Sequence, residues 1–273
     1  MTTRVLKRMP NGSGIGAGQT ATFNLPLGLT YYQLDIRMSG DIGSGVADIP
    51  VANWADAIGE IRLYIDGAEK IRIDAADLAS ILQYRGQTLQ AGVLPIMFAN
   101  PSQRTPAGED APAYGTADVQ SMTLEIDIDS GITSPSLTVY GLMGPQTPLG
   151  QHYAIKKYPF NVGNTGTREL QDIPRNGYGL LAMHVDTADV SSVELEVNQR
   201  IIRDYDRALG SAKGIQTGKV WQSGWTHVDL TESDRLSDML IMNVEDFRLR
   251  LEMTGTGNNN LYTEEIREHQ RSA

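Results

Sequence analysis

Runs in which every second side chain is apolar recur along this chain, and they recur twice in the same order. Leu34, Ile36 and Met38 follow Asn24-Leu25-Pro26; Leu181, Met183 and Val185 follow Asp172-Ile173-Pro174. Ile61, Leu63 and Ile65 correspond to Val193, Leu195 and Val197. Each of these is followed by Ile-Arg (Ile71-Arg72, Ile202-Arg203), an Asp-rich helix start and a Leu-x-Ser, Leu78 to Ser80 and Leu209 to Ser211. Last come Val119, Met122, Leu124, Ile126 and Ile128, matched by Val244, Phe247, Leu249, Leu251 and Met253. A period of two is that of a strand with one face in a core. The pattern therefore predicts an all-β protein made of two similar domains.

The distance between equivalent positions falls from 148 at Pro26 and Pro174 to 125 at Leu124 and Leu249. Strands resist length change, because a one-residue slip turns the whole apolar set toward solvent. Surface loops absorb insertions at small entropic cost. Most of the shift lies between Met38 and Ile61, so the first copy has a longer loop there, Asp41 to Gly59, which contains Trp54. Each copy offers about eight short strands, enough for a closed sandwich, with a few short helices in loops. One helix is expected over Asp74–Tyr84, with Leu78, Ile81 and Leu82 inward and Gly86 as its stop. Another is expected from Thr231, with Asp234 in a capping arrangement and Leu236, Met239 and Leu240 inward. Gly141 to Pro148 reads as the linker. The expected division is a flexible basic arm over 1–20, a first sandwich over 21–144 and a second over 145–273.

Cysteine is absent, which excludes thiol chemistry and zinc–thiolate sites. The longest apolar run, Val93 to Ala99, contains a proline and is too short to cross a bilayer as a helix; no apolar signal segment opens the chain. The net charge of −10 repels nucleic acid, so no direct nucleic-acid binding is expected. Arg4, Lys7 and Arg8 are nevertheless the only charged residues before Asp35.

No residue set carries a catalytic signature. Gly12, Gly14, Gly16 and Gly18 lack the preceding strand and following helix of a phosphate loop, and read as a tether. Glu125, Asp127 and Asp129 form an acidic ladder, a candidate for structural calcium, although Ser136 stands where an EF-hand needs Glu. The histidines (His152, His184, His227, His269) are dispersed, with no close pair for a metal, and His184 reads as a surface or interface residue. Trp221 and Trp225 suggest aromatic packing or a sugar-stacking platform.

The opening Leu6-Lys7-Arg8-Met9-Pro10, with Gly16-Ala17-Gly18-Gln19-Thr20-Ala21-Thr22-Phe23-Asn24-Leu25-Pro26 and Gly28-Leu29-Thr30-Tyr31, resembles the start of the major coat proteins of corticovirus-type tailless, membrane-containing bacteriophages. The resemblance implies two tandem eight-stranded jelly rolls. It implies a non-enzymatic, structural subunit, made in the host cytoplasm and ending in the virion. Three copies are then expected to form a pseudo-hexagonal capsomer of an icosahedral shell around an internal lipid membrane. Neighbouring capsomers, a vertex (penton or spike) protein and the membrane or its proteins would be the partners. No cofactor is required, although some members of that lineage bind calcium. In such a shell Arg4, Lys7 and Arg8 become candidates for a membrane or neighbour contact. The alternative is a carbohydrate-binding β-sandwich module of a receptor-binding spike, and a third reading is a jelly-roll glycan-active enzyme.

Overall fold

The alternating runs become strands with buried apolar sides, and the same strand pattern is built twice. A computed structural model describes residues 4–99, 106–231 and 234–269. The chain forms two compact units: one of residues up to Gln83, Gln87–Ile155 and from Arg267 onward, the other of Tyr84–Gly86 and Lys156–Ile266.

In the first unit the order is β1 (Val5–Arg8), β2 (Thr20–Asn24), β3 (Thr30–Asp41), β4 (Ala47–Asp48), β5 (Ile58–Ile65), β6 (Ala68–Asp74), α1 (Ala75–Tyr84), β7 (Val93–Met97), α2 (Pro106–Asp110), β8 (Tyr114–Gly115), β9 (Met122–Ile128), β10 (Thr133–Gly144) and the start of β11 (Gln151–Val162). One sheet runs β1-β10-β3, with β4, β7 and β8 also pairing β3; β6-β5-β9-β2 are neighbours in the other. Leu34, Ile36 and Met38 on β3 are fully buried, as are Ile61 and Leu63 on β5.

The second unit continues with β12 (Gly166–Leu170), β13 (Gly179–Val185), β14 (Val190–Val197), β15 (Arg200–Asp206), α3 (Arg207–Gln216), β16 (Thr226–Asp229), β17 (Leu240–Ile241), β18 (Phe247–Met253) and β19 (Gly257–Glu268). Its sheet β12-β18-β14-β15 repeats the order β2-β9-β5-β6, and β13 pairs with β16, β17 and β19 as β3 pairs with β7, β8 and β10. The register repeats too. Leu124 lies opposite Phe23 and Leu63, and Leu249 opposite Leu170 and Leu195. Leu124 and Leu249 are both fully buried.

The hairpin tips repeat at the level of single hydrogen bonds. Asp66-Gly67 joins β5 to β6 and Asn198-Gln199 joins β14 to β15, all four residues with positive φ, as a tight two-residue turn needs. Asp66 Oδ1 accepts from the Gln120 and Ser121 amides; Asn198 Oδ1 accepts from the Glu245 and Asp246 amides. The expected helix after the first hairpin is α1, with Leu78, Ile81 and Leu82 buried, and its counterpart α3 is capped by Asp206, which accepts from the Leu209 amide at 2.8 Å.

Three expectations need correction. The stretch over 1–20 is not a tether outside the sandwich, although residues 1–3 lie outside the described ones. Val5–Arg8 is an edge strand paired with Met143–Tyr140, the Met9 amide donates to Val139 O at 2.8 Å, and the Met9 side chain is buried. Gly12 is there for fit: a Cβ would stand 2.7 Å from the Phe23 ring. Second, Gly141 to Gly144 are strand rather than linker. A Cβ on Gly141 would meet Met9 and Tyr31, and one on Gly144 would meet the Tyr32 ring at 2.7 Å, so close packing sets these glycines. The division falls inside β11, between Ile155 and Lys156, and the chain returns to the first unit from Arg267. Third, the helix expected from Thr231 is only a 3-10 turn over Leu236–Asp238, residues 232 and 233 lying outside the described ones. Asp234 sits at φ +58, a left-handed conformation that ends a right-handed helix, and binds the buried Lys219 ammonium.

Candidate functional site

The basic residues of the N-terminal stretch separate in the structure. Arg4 is taken up locally: its guanidinium lies 2.5 Å from Asp110 and 3.6 Å from Glu109 on α2, and 4.2 Å from the Tyr32 ring centre. Arg8 donates to Asn11 at 3.1 Å. Lys7 is exposed, as are Val5 and Leu6, at 52% and 61%. β1 ends its sheet, so among the described residues one side of its backbone has no partner strand. Beside it lies a cleft of about 490 Å³ lined by Lys7, Arg8, Met9, Asn11, Pro26 and Met143, among others. An apolar pair, a free backbone edge and two cations thus share one rim.

The acidic ladder is arranged differently from a calcium cage. β9 places Glu125 and Asp127 opposite β5, and Arg62 reaches both, at 3.3 and 2.8 Å, while also holding Glu60 at 3.0 Å. Thr20 donates to Asp127 at 2.6 Å, and Asp129 turns away to accept from the Gly131 amide. The Arg62 guanidinium is the cation that Glu60, Glu125 and Asp127 hold. Among the described residues no three His, Asp or Glu side chains converge on a metal position.

Sequence reasoning missed the most concentrated cluster of titratable groups. β13 and β16 set His184 directly opposite His227, and the two Nδ1 atoms lie 2.8 Å apart. Both rings are buried, so the expectation of a surface His184 is overturned: every residue of β13 is covered. Tyr84 stacks on His227 at 3.9 Å and Trp225 lies parallel to it at 5.9 Å, with Trp221 edge-on at 5.0 Å. Trp225 is thereby buried in an aromatic stack and offers no sugar platform. Glu264 on β19, itself buried, sits 3.4 Å from His184 Nε2 and is bound by Arg85. Among the described residues the Nε2 atoms of both rings have no hydrogen-bond partner. Burial, and then His184, hold the His227 pKa well below the usual imidazole value. His152, in the first unit, is a simpler case: Nδ1 lies 3.1 Å from Gly150 O, and burial pushes its pKa down to about 4.

The family of viral coat proteins P2 accounts for nearly all of this chain. Its N-terminal domain matches residues 6–146 and its C-terminal domain matches residues 153–269. The chain belongs to the viral coat protein P2 family. Within viral coat protein P2 relatives, the major capsid protein P2 of Pseudoalteromonas phage PM2 is 25% identical over 259 residues, covering 91% of this chain and 90% of that one. The crystal structure of that P2 superimposes with a TM-score of 0.88 over 98% of this chain and 99% of the other, at 21% identity. The STIV major capsid protein, at 9% identity, shares the fold with a TM-score of 0.69 over 97% of this chain and 96% of that one. The architecture is the double jelly roll expected for the P2 family.

Proposed function

We propose that this chain is the structural major capsid subunit of an icosahedral bacteriophage shell, assembling as a homotrimer into pseudo-hexagonal capsomers around an internal lipid membrane. The observation that carries this reading is the duplication. Each sandwich matches its own coat-protein domain, in order, over a chain similar from end to end to the PM2 major capsid protein. Three subunits of two like sandwiches present six similar sides, so one gene product can tile a hexagonal lattice while the differing loops reduce the symmetry to threefold. The role is one of assembly in the virion rather than catalysis, with neighbouring capsomers and a vertex protein as partners.

The exposed rim of β1 is the surface proposed to meet the membrane or a neighbouring protein. Lys7 and Arg8 supply charge and Val5 and Leu6 supply shallow apolar contact. Arg4 contributes less, being engaged with α2. Single-copy attraction of this kind is weak, and repetition over a shell multiplies it.

Light scattering on the purified protein should give about three times the chain mass of 29.8 kDa. A monomer at micromolar concentration and neutral pH counts against the capsomer reading. Lys7→Glu, on an exposed side chain, should leave that trimer intact and weaken its salt-sensitive association with vesicles rich in anionic lipid. Unchanged vesicle association would remove the membrane role from this rim.

A further inference from the structure

We propose that the buried His184–His227 pair is an acid-sensitive latch holding β13 to β16 in the second unit, opened when a second proton enters the pair. Two imidazoles meeting at Nδ1 share one hydrogen: one ring donates and the other must offer its lone pair. At 2.8 Å the pair cannot hold an N–H on both facing nitrogens without repulsion. Loading both rings with protons therefore forces them apart. The rings are the facing side chains of a directly paired position in β13 and β16, so separation acts on that strand pair itself.

The carboxylates around the pair compensate that second charge only in part, because each is already held by another cation. On β19, Glu264 faces His184 and favours a charge on His227, but it is already bound by Arg85. On β16, Asp229 lies 3.9 Å from the Lys219 ammonium, which also binds Asp234. From α3, Arg207 donates to Thr226 and adds positive potential at His227. Tyr84, Trp221 and Trp225 cover His227 with rings rather than carboxylates. Protons nevertheless have a route. His227 lines a cavity of about 230 Å³ whose wall includes Asp229, Tyr205, Lys213 and Thr217, and Lys213 is exposed.

The direction follows from linkage. An unfolded histidine takes a proton near pH 6.5, whereas burial and the neighbouring His184 ring hold the folded His227 pKa well below that value. The latch is thus at full strength above about pH 6.5 and weakens as pH falls below it. For one excluded proton, the unfolding constant of this unit should rise about tenfold per pH unit. His152 adds a similar dependence in the first unit and has to be removed from the measurement.

The test uses the full-length protein carrying His152→Gln. Urea unfolding and amide exchange are followed between pH 7 and 5, above the titration of ordinary carboxylates. Exchange in Ala182–Val185 and Thr226–Asp229 should accelerate steeply in this window, while β5 and β9 stay protected. Adding His227→Gln should remove most of that pH slope; an unchanged slope overturns the proposal. Should the double variant fail to fold, nitrogen NMR of labelled histidine in the single variant decides. One ring of the pair remaining neutral in the folded protein at pH 5.5 supports the latch. Both rings protonated in a folded, unaltered β13–β16 pair would falsify it.

Discussion

At the scale of single residues, the two hairpin tips show the same solution reached with different side chains. Asp66 and Asn198 each bend the chain at positive φ and each clamp two amides of a distant loop, 54 and 55 positions away in the first copy and 47 and 48 in the second. Asp66→Ala or Asn198→Ala releases two exposed amides to water and should cost about 0.5–1.5 kcal/mol in urea denaturation. Gln199, at φ +65, pays a left-handed penalty that glycine avoids, so Gln199→Gly should stabilise by about 1 kcal/mol. Asp-Gly is a residue pair that suits a tight two-residue turn. What the side chain reaches is not legible in the sequence, because its partners lie beyond several intervening strands and helices. The same holds for His184 and His227: their adjacency is created by strand pairing across 43 positions. Arg62 accounts for two rungs of the acidic ladder in the same way, since this one cation from β5 holds Glu125 and Asp127 together with Glu60. His152 gives a second pH prediction. Its folded pKa of about 4 lies below the unfolded value, so stability is full above about pH 6.5 and falls toward pH 4. The slope should be about 1.4 kcal/mol per pH unit at most, and His152→Gln should flatten it in denaturation curves taken across that range.

At the scale of elements, periodicity located strands well wherever one face is covered and the other wet. β9 and β18 read as buried and half-buried residues in strict alternation, and both appeared in the pattern of apolar residues. β13 is covered on both faces, and there alternation misassigned His184 to the surface. Glycines misled for a related reason. Gly12, Gly141 and Gly144 look like flexible spacers in a one-dimensional text, yet each is fixed by an aromatic ring or a methionine beside it. The equivalence of β9 and β18 can be measured. Leu124→Ala and Leu249→Ala remove fully buried side chains from matching registers and should each cost about 2–5 kcal/mol. Calorimetry showing one loss large and the other negligible would break the proposed equivalence.

For the whole molecule, duplication was legible and the division between its copies was not. The repeat survives in strand order and register because both are tied to core burial, and it extends to the hydrogen bonds of the exposed hairpin tips. The boundary is hidden because it falls within the continuous strand β11 and because the chain from Arg267 rejoins the first unit. The long loop after β3 has the opposite character. Gly43 and Gly45 have open space where a Cβ would be, Val46 is exposed, and Asp41 fastens the turn by accepting from both glycine amides at 2.8 Å. A ten-residue Gly/Ser segment inserted between Gly43 and Ser44 should lower stability by no more than about 1–2 kcal/mol, judged by denaturant midpoint. The same segment at Asn198-Gln199 should be far more damaging, since it breaks a two-residue turn that sets strand register. If copies of this chain tile a surface, the Gly43–Gly45 crest is a natural mounting point for foreign peptides, repeated at the spacing of the lattice.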